Sequence, residues 1–563
     1  MSLDALLSVV CRRALALHAC GKTDLAITCC NRALANNPQD GEVLTLLTYL
    51  HSEIENFEQA IHYGQKTLQQ NAQTAFVWAL LGKCFHERGA HEEARRAYEN
   101  AFCESPSSQH ACGLLTATQL ALGPEATRLV WSRIKAAFNP TPNIFFTYLA
   151  LMMESEGQSW VQDQLAHSPL TLPPLDSYKL ESVQAWAKKR GWPVRSLGNV
   201  ETIPVPALAA LGPEGYQQEA FEPRMLQGYA APYLADLSDV KVISQCNAVL
   251  TDEGMALNDL VTLPPHGPRV TLEWERGVEG HHGRTLFMRS NACDICEMES
   301  GFFLAGRSSS EFGHWAPEYM MRLRWFEQHP QFSNTPLVVD GAMPQSHFDW
   351  LRHITHQPMI ILDHKKYVFY RFKTLIVSSL SAFCPIYFVG LSTDPGPTGA
   401  MACVVSPEGL RFLRERTLAS VPERPSPSGE KLYITRRGSS WRRLLNDPEI
   451  STFLENQGFT TVAPEKMTFA EQVSLFRNAR VIVAPDGSAL NNLMFAPTDV
   501  RVAILTARLS RKWHNVYRAW YGAFQTLGCR LLFVFGDTVA PHKHADYEVP
   551  VDRVKQALAI LGS

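Results

Sequence analysis

The 563-residue sequence predicts an α plus α/β protein, an N-terminal α-solenoid followed by a pair of Rossmann-like lobes. Three observations carry this expectation. Small residues recur at a spacing of 34 through the first part of the chain. Proline-rich stretches at 168–176 and 421–430 punctuate the remainder. In the last third, strand-like apolar runs alternate with helical patterns at the spacing of a parallel sheet.

The repeat comes first. Ala26, Ala60 and Ala94 lie 34 residues apart, and the columns around them agree. Ala14, Thr48 and Gly82 stand twelve positions earlier, Ala33, Thr67 and Ala101 seven later, and Pro38, Ala72 and Pro106 close the units. Small side chains let the two helices of a unit cross closely, and a terminal proline ends the second helix because it has no N–H and clashes with the preceding turn. The third unit carries Trp78, Leu81, Gly82, Phe85, Ala94, Tyr98, Ala101 and Pro106. In these positions and in its period the region resembles the tetratricopeptide repeat family. The register is lost after residue 109, while helical patterns such as NIFFTYLALMMES continue to about residue 190. The resemblance implies a stacked array whose concave face takes a peptide or a partner's helix, or through which the chain forms a homodimer.

Four regions are expected: a solenoid over 1–165, a helical linker over 166–195, an N-terminal α/β lobe over 196–420, and a C-terminal Rossmann-like lobe over 421–563. In the linker, SYKLESVQAWAKKRG reads as one amphipathic helix. In the first lobe VKVISQ, DLVTLP, RTLFMR, GFFLAGR, PLVVDG, MIILD and TLIVSS are strand-like runs. In the second, KLYITRR is a strand and DPEISTFLENQG a helix with Asp447 as N-cap and Gly458 as its stop. FTTVAPE is a strand, TFAEQVSLFRNA a helix opened by a Thr468/Glu471 capping box, and RVIVA, VRVAIL and RLLFVFG are further strands. Two lobes of this kind place a ligand cleft between them, at the carboxyl ends of the strands.

Composition narrows the function. Apolar residues make up 45% and charged ones 19%, the balance of a soluble chain with a large core. A formal net charge of −3 supplies no basic field for nucleic acid or an anionic membrane. The thirteen cysteines lack the spacing of a disulfide framework and predict reduced thiols in a cytoplasmic protein. The apolar run between Asp4 and Arg12 is too short for a secretory signal, and LIVSSLSAFCPIYFVGL, broken by Ser, Cys and Pro385, is short for a membrane span.

Two stretches carry chemistry. VIVAPDGSALNNLMFAP (481–497) leads from a strand through a small-residue turn into a helical pattern, the way an α/β protein presents backbone N–H groups to phosphate. Gly487 admits a close backbone approach, and Ser488, Ala489 and Leu490 offer N–H groups. Asp486 is an acid where an anion would sit, and it reads equally as a helix N-cap or as an acceptor from a ribose or sugar hydroxyl. LYITRRGSSWRRLLN (432–446) places Arg436, Arg437, Arg442 and Arg443 at and beyond a strand's carboxyl end, where guanidinium forks suit a diphosphate. For Arg442 and Arg443 a solvated face is an equal reading.

Together these stretches resemble bacterial members of glycosyltransferase family 61, the group often labelled capsular polysaccharide biosynthesis proteins. The match runs through Tyr433 to Arg437, Arg442 to Asn446, Gly458-Phe459, Glu471 to Val473, Ala479, Gly487 to Asn492 and Phe495 to Pro497. Upstream, Gly313-His314-Trp315 with Glu318 and Arg322-Leu323 is similar to the family's His-aromatic motif. The family usually carries His where this chain has Asp486. The resemblance implies a GT-B-type fold and inverting transfer of a sugar from a nucleotide-sugar, without a metal or cofactor, to a glycan or protein hydroxyl. It implies donor binding by Arg436, Arg437, Arg442, Asp486, Gly487, Ser488, Ala489, Leu490 and Asn492. Inverting transfer needs a base, and the motif makes it His314, just before a helix whose positive end favours neutral imidazole, with Glu318 to orient it. A histidine that caps a helix against the core is the plain alternative. Asp340, at the end of PLVVDG, is the reserve base. Cys293 and Cys296 form a lone CxxC near His281-His282, read as two thiols ahead of a metal site, and Trp513, Tyr517, Trp520 and Tyr521 at helical spacing read as core packing ahead of a sugar platform.

Overall fold

The computed structural model describes residues 8–19, 23–70, 74–168, 170–212, 223–227, 231–259, 269–270, 272, 274–290, 294–383, 388–389, 404–424, 429–439, 442–507, 511–538 and 546–562. Its contacts divide the chain into two compact units. One holds residues 1–180, 253–256 and 271–292, the other 181–252, 257–270 and 293–563.

In the first unit the repeat forms three antiparallel helix pairs: Val9–Ala19 with Thr23–Asn36, Gly41–Glu53 with Phe57–Gln69, and Ala75–Glu87 with His91–Glu104. Asp40, Asn56 and Thr74 cap their helices by accepting from the backbone N–H of Val43, Gln59 and Val77. The small-residue columns are buried, with Ala14, Ala26, Ala60, Ala94 and Ala101 all at 0% exposure. Gly82 is needed for its size: a Cβ there would stand 2.9 Å from the Tyr98 ring. Pairing continues past the point where the sequence period lapses, through Ser108–Leu122, Pro124–Ala137, Pro142–Glu156 and Gln158–Ala166. Here aromatic stacking replaces the small columns, as where Trp131 lies 4.7 Å from Tyr148.

The expected linker differs from the single helix read there. Residues Leu175–Glu181 form a strand that pairs antiparallel with Thr285–Arg289, and only Val183–Arg190 is helical, capped by Ser182. The alternating burial of LDSYKLE, with Leu175, Ser177 and Tyr178 inward and Lys179 exposed, suits a strand once a partner is present. A neighbouring hairpin adds Val278–His282, and Phe146 of the Pro142–Glu156 helix stacks on Phe287 at 4.8 Å.

The second unit carries two sheets. A mixed sheet orders Val249–Thr251, Tyr233–Val242, Val368–Ser378, Asp294–Phe303, Leu337–Asp340 and Met359–Leu362, with Val194–Ser196 set on Tyr233–Val242. Its last four strands run parallel, and Val368–Ser378 meets Tyr233–Val242 antiparallel. RTLFMR, expected in this lobe, belongs to the first unit, and DLVTLP beyond Asp259 lies outside the described residues.

The other sheet is the alternating one. Thr460–Val462, Lys431–Ile434, Val481–Pro485, Arg501–Ala507 and Arg530–Thr538 lie side by side, all parallel. Tyr547–Glu548 joins antiparallel, and Ala209–Leu211, from well before the lobe, adds a parallel strand to Arg530–Thr538. The Thr468/Glu471 capping box opens the Phe469–Arg477 helix as expected. Asp447 is no cap: Asn446 holds that position without a side-chain bond, and Asp447 is the first helical residue. One apolar core joins the layers, from Phe302, Trp315, Leu337 and Trp350 to Ile482, Leu490 and Phe495. Among the described residues no helix is long and apolar enough to cross a membrane, and the described cysteines are free thiols.

Candidate active site

The strands Lys431–Ile434 and Val481–Pro485 are parallel neighbours, with Tyr433 opposite Val483. Both therefore end together, and Arg436 and Asp486 emerge side by side. Arg436 donates from Nη1 to the Asp486 carbonyl and from Nη2 to Ser439 Oγ at 3.1 Å. Gly487 makes room for this guanidinium, since a Cβ there would lie 3.0 Å from Arg436 Cζ. Its φ of 170° is extended backbone, so the glycine serves for space and not for a special conformation.

Asp486 turns out to be neither a helix cap nor an open acceptor. It is 5% exposed, its Oδ2 accepts from Arg442 Nη1 at 2.9 Å, and its Oδ1 from the Tyr521 hydroxyl at 2.5 Å. Gly487 occupies the cap position, without a side-chain bond, before a 3-10 segment over Ser488–Phe495. The acid in the loop is thus a strut. It neutralises Arg442 and ties the loop to the helix Arg511–Gln525 that carries Tyr521.

The other arginines divide. Arg437 donates from Nε to Asp447 Oδ2 at 2.5 Å, and Tyr433 and Thr435 donate to Asp447 Oδ1 at 2.6 and 3.0 Å. This displaces Asp447 from capping, because three donors already hold its carboxylate. Arg443 pairs with Asp546 at 2.6 Å while more than half exposed, the surface reading of that residue. Of the loop residues, Ser488 faces the upstream motif, since a Cβ on Gly313 would stand 2.9 Å from Ser488 Oγ. Ala489 is partly buried, Leu490 is core, and Asn492 is fully buried, donating to Gln472 Oε1 at 3.1 Å and the Ala489 carbonyl at 3.2 Å.

Its neighbour Asn491 reaches outward to the motif instead. Asn491 Nδ2 donates to the Phe312 carbonyl at 3.4 Å, and its Oδ1 accepts from Trp520 Nε1 at 3.1 Å. Trp520 in turn lies 6.4 Å from the His314 ring. Asn491 lies in the matched stretch without a role assigned to it, and Trp520 packs against the core as read while its indole N–H also reaches Asn491. Helical spacing in Arg511–Gln525 marks Trp520 and Tyr521 as packed aromatics, but not that the indole would also bond to Asn491 of the 486–492 loop. Tyr521 is core, as read, and the side chains of Trp513 and Tyr517 lie outside the described residues, as does Cys293.

His314 is inside a helical run rather than ahead of it. The run begins with Glu311 as N-cap of Phe312–His314, widens into a π-turn over Trp315–Tyr319 and tightens into a 3-10 turn over Met320–Arg322. Pro317 lacks an N–H to continue an α-ladder, and single π-turns of this kind recur at functional sites. His314 is 8% exposed, its Nδ1 is 2.9 Å from Glu318 Oε1, and its Nε2 is 3.8 Å from Glu311 Oε2. A carboxylate at Nδ1 fixes the N–H there and leaves Nε2 as the lone-pair nitrogen. Asp340, fully buried, accepts from Gln245 N at 2.7 Å, Gly306 N at 2.7 Å and Ser309 Oγ at 2.6 Å. Burial raises its carboxyl while these three donors lower it, the environment of a loop anchor. Among the described residues no group of three or more His, Cys, Asp or Glu is arranged to hold a metal ion.

Residues 312–503 match the model of the glycosyltransferase 61 family, a stretch that begins at the His314 motif and ends past the Asp486 loop. No curated protein matches the chain. Among solved structures, MamA is 13% identical, aligned over 28% of this chain and 89% of its own at a TM-score of 0.25. The tetratricopeptide protein TTC0263 of Thermus thermophilus is 19% identical over 28% of this chain and 88% of its own, at a TM-score of 0.22. A tetratricopeptide repeat protein of Parabacteroides merdae is 17% identical over 28% and 62%, at 0.21. The helix-pair reading of the first unit rests on the chain's own 34-residue period and its observed helices.

Proposed function

We propose that this chain is an inverting glycosyltransferase with a GT-B-type pair of lobes, moving a sugar from a UDP-linked donor to a hydroxyl of a protein or glycan in the cytoplasm. The observation that supports this most is the meeting of two motifs some 170 residues apart, Gly313-His314 against Ser488 and Asn491, with Arg436 beside them. His314 Nε2 takes the proton of the acceptor hydroxyl. The acceptor oxygen forms a bond to the anomeric carbon on the face opposite the diphosphate, and the bond to the diphosphate oxygen breaks, its electron pair leaving with the nucleotide. Arg436 and the backbone at Gly487 and Ser488 meet the charge that develops on that oxygen, with Arg437 and Arg442 in reserve behind them. With Asp486 neutralising Arg442, the loop keeps a net positive charge from Arg436. Guanidinium groups fill the role a divalent cation would otherwise have, so metal independence belongs to the proposal. The solenoid selects the acceptor or the partner that delivers it. Isothermal titration with UDP, GDP and CMP tests the reading, followed by mass spectrometry of products from a mixed donor panel. UDP binding with sugar transfer supports it, and a folded protein that binds none of the three sinks it.

One observation favours a second reading, a tetratricopeptide scaffold with an inactive transferase domain. Asp486 stands where the family usually has histidine, and its carboxylate already occupies Arg442 and Tyr521. The same titration separates the two, since a scaffold of this kind binds no nucleotide.

A further inference from the structure

Behind His314 lies a layer of buried charge that the proposed reaction does not use. Glu318 is 5% exposed, and one turn on stands Arg322, also 5% exposed. Arg322 Nε donates to the Glu318 carbonyl at 2.7 Å, and its guanidinium lies 4.9 Å from the centre of the Tyr319 ring. Asp259 approaches from far away in sequence. Its Oδ1 accepts from Val183 N at 3.1 Å and its Oδ2 from the Tyr233 hydroxyl. Glu318, Arg322, Asp259, Asn247 and Asn258 line one side of a cavity of about 40 Å³ that Val249, Phe303 and Val377 help to close.

A buried guanidinium is costly unless opposite charge and hydrogen bonds offset its lost hydration. Burial works against the charge of Arg322, while Tyr319, Glu318, Asp259 and Tyr233 favour it. Burial likewise raises the Asp259 carboxyl, and the Tyr233 hydroxyl and Val183 N–H pull it back down. Asp259 and Arg322 thus offset part of one another's burial, and Arg322 is bonded to the backbone of Glu318, whose carboxylate meets His314.

We propose that Asp259 and Arg322 are positioning residues for His314: Asp259 balances the guanidinium across the cavity they share, the guanidinium holds the Glu318 turn, and Glu318 fixes the imidazole with Nδ1 protonated. The inference rests on the reading of His314 as the base. Among the described residues, groups near this pair include Glu311 on the preceding turn, Tyr319 on the same run, the uncharged Ser488, Asn491 and Trp520, and the charged Arg436 beyond Gly487.

Exchange of histidine C2 protons, followed by mass spectrometry across pH on the full-length protein, gives the titration midpoint of His314 with no donor or acceptor present. Asp259→Asn removes a negative charge and leaves Arg322 less balanced, which disfavours imidazolium. The midpoint is expected to fall by about half a pH unit. The double variant Asp259→Asn with Arg322→Gln removes both charges and returns the midpoint towards that of the natural chain. Tyr233→Phe takes a hydrogen bond from Asp259 without changing charge, moves the midpoint the same way by less, and decides the matter if Asp259→Asn does not fold. An unmoved midpoint in folded Asp259→Asn overturns the proposal, as does an unmoved midpoint in Tyr233→Phe where that is the folded variant, or a double variant that stays displaced. Nucleotide titration separates the layers: UDP binding with an unmoved midpoint sinks this inference alone, and a displaced midpoint without nucleotide binding sinks the transferase reading alone.

Discussion

Asp486 concentrates the site's residue-scale energetics. Its carboxylate serves Arg442 and Tyr521, so Asp486→Ala takes a hydrogen bond from a phenol and an ion pair from a partly buried guanidinium. About 2–3 kcal/mol of unfolding free energy should be lost, discounted because the Arg442 side chain is 25% exposed. Urea denaturation measures this, and a loss under about 0.5 kcal/mol would mean that the pair is no strut. Arg436 acts on ligand rather than fold. Arg436→Ala should weaken UDP binding by about 2–4 kcal/mol, as for other charged hydrogen bonds left unmade, and Arg443→Ala by far less because its partner is Asp546 at the surface. Gly487→Ala should reproduce part of the Arg436 defect. The added methyl would stand 3.0 Å from Arg436 Cζ and push the guanidinium away, while the extended φ leaves the backbone unstrained. Titration calorimetry on the three variants orders them, and equal affinity in Arg436→Ala and the natural chain would place the donor elsewhere.

At the scale of elements, the helix Gln345–Ile354 is locked to the His314 run through His347. Its ring stacks on Trp315 with centroids 5.6 Å apart and planes 4° from parallel, and its Nδ1 meets the Ser309 carbonyl at 3.0 Å. Burial drives its pKa down to about 4, against a little of the opposite effect from Ser309. A histidine depressed on folding binds its proton more readily when unfolded. Its contribution is therefore complete above about pH 6.5 and is lost as pH falls from there towards 4, for a total of about 3 kcal/mol. His347→Gln should flatten that limb of the stability–pH curve, and equal slopes between pH 6.5 and 4 in the two proteins would rule it out. In the solenoid, Gly82→Val should cost roughly 1–3 kcal/mol by overpacking against Tyr98, visible as a lower melting temperature.

For the whole molecule, the place of a cut decides what a truncation can teach. Helices Pro142–Glu156 and Gln158–Ala166 share a core with Leu175 and Phe287, so removing everything to residue 165 would strip apolar cover from strands of the same unit. Removing residues 1–106 takes the three repeat pairs and leaves those strands covered, at the loss of Phe102 and Tyr98 from the far end of the same core. The shortened protein should bind UDP as tightly as the full chain and lose modification of protein in lysate, if the solenoid selects the acceptor. Retained modification at the full rate, or a change from dimer to monomer with activity intact, would end the selector idea.

What the sequence determined by itself is local and periodic. The 34-residue repeat, the Thr468/Glu471 box and the alternation of the last sheet follow from side-chain size, capping chemistry and hydrophobic period, all of which act within a few turns of chain. The motifs too were legible as motifs: Arg436 and Gly487 meet where the strands Lys431–Ile434 and Val481–Pro485 end, and Gly313, beside His314, lies against Ser488 of the same loop. Partners were not legible. Whether Asp486 caps a helix or holds Arg442, whether Asp447 caps or anchors Arg437, and whether SYKLE is helix or strand each depend on a group brought from elsewhere: Tyr521, Tyr433, or the strand Thr285–Arg289. The three-residue strand Ala209–Leu211 is too short to show a period at all. A buried carboxylate takes whichever donors the tertiary structure sets beside it, because leaving it unpaired costs more than any local capping preference returns.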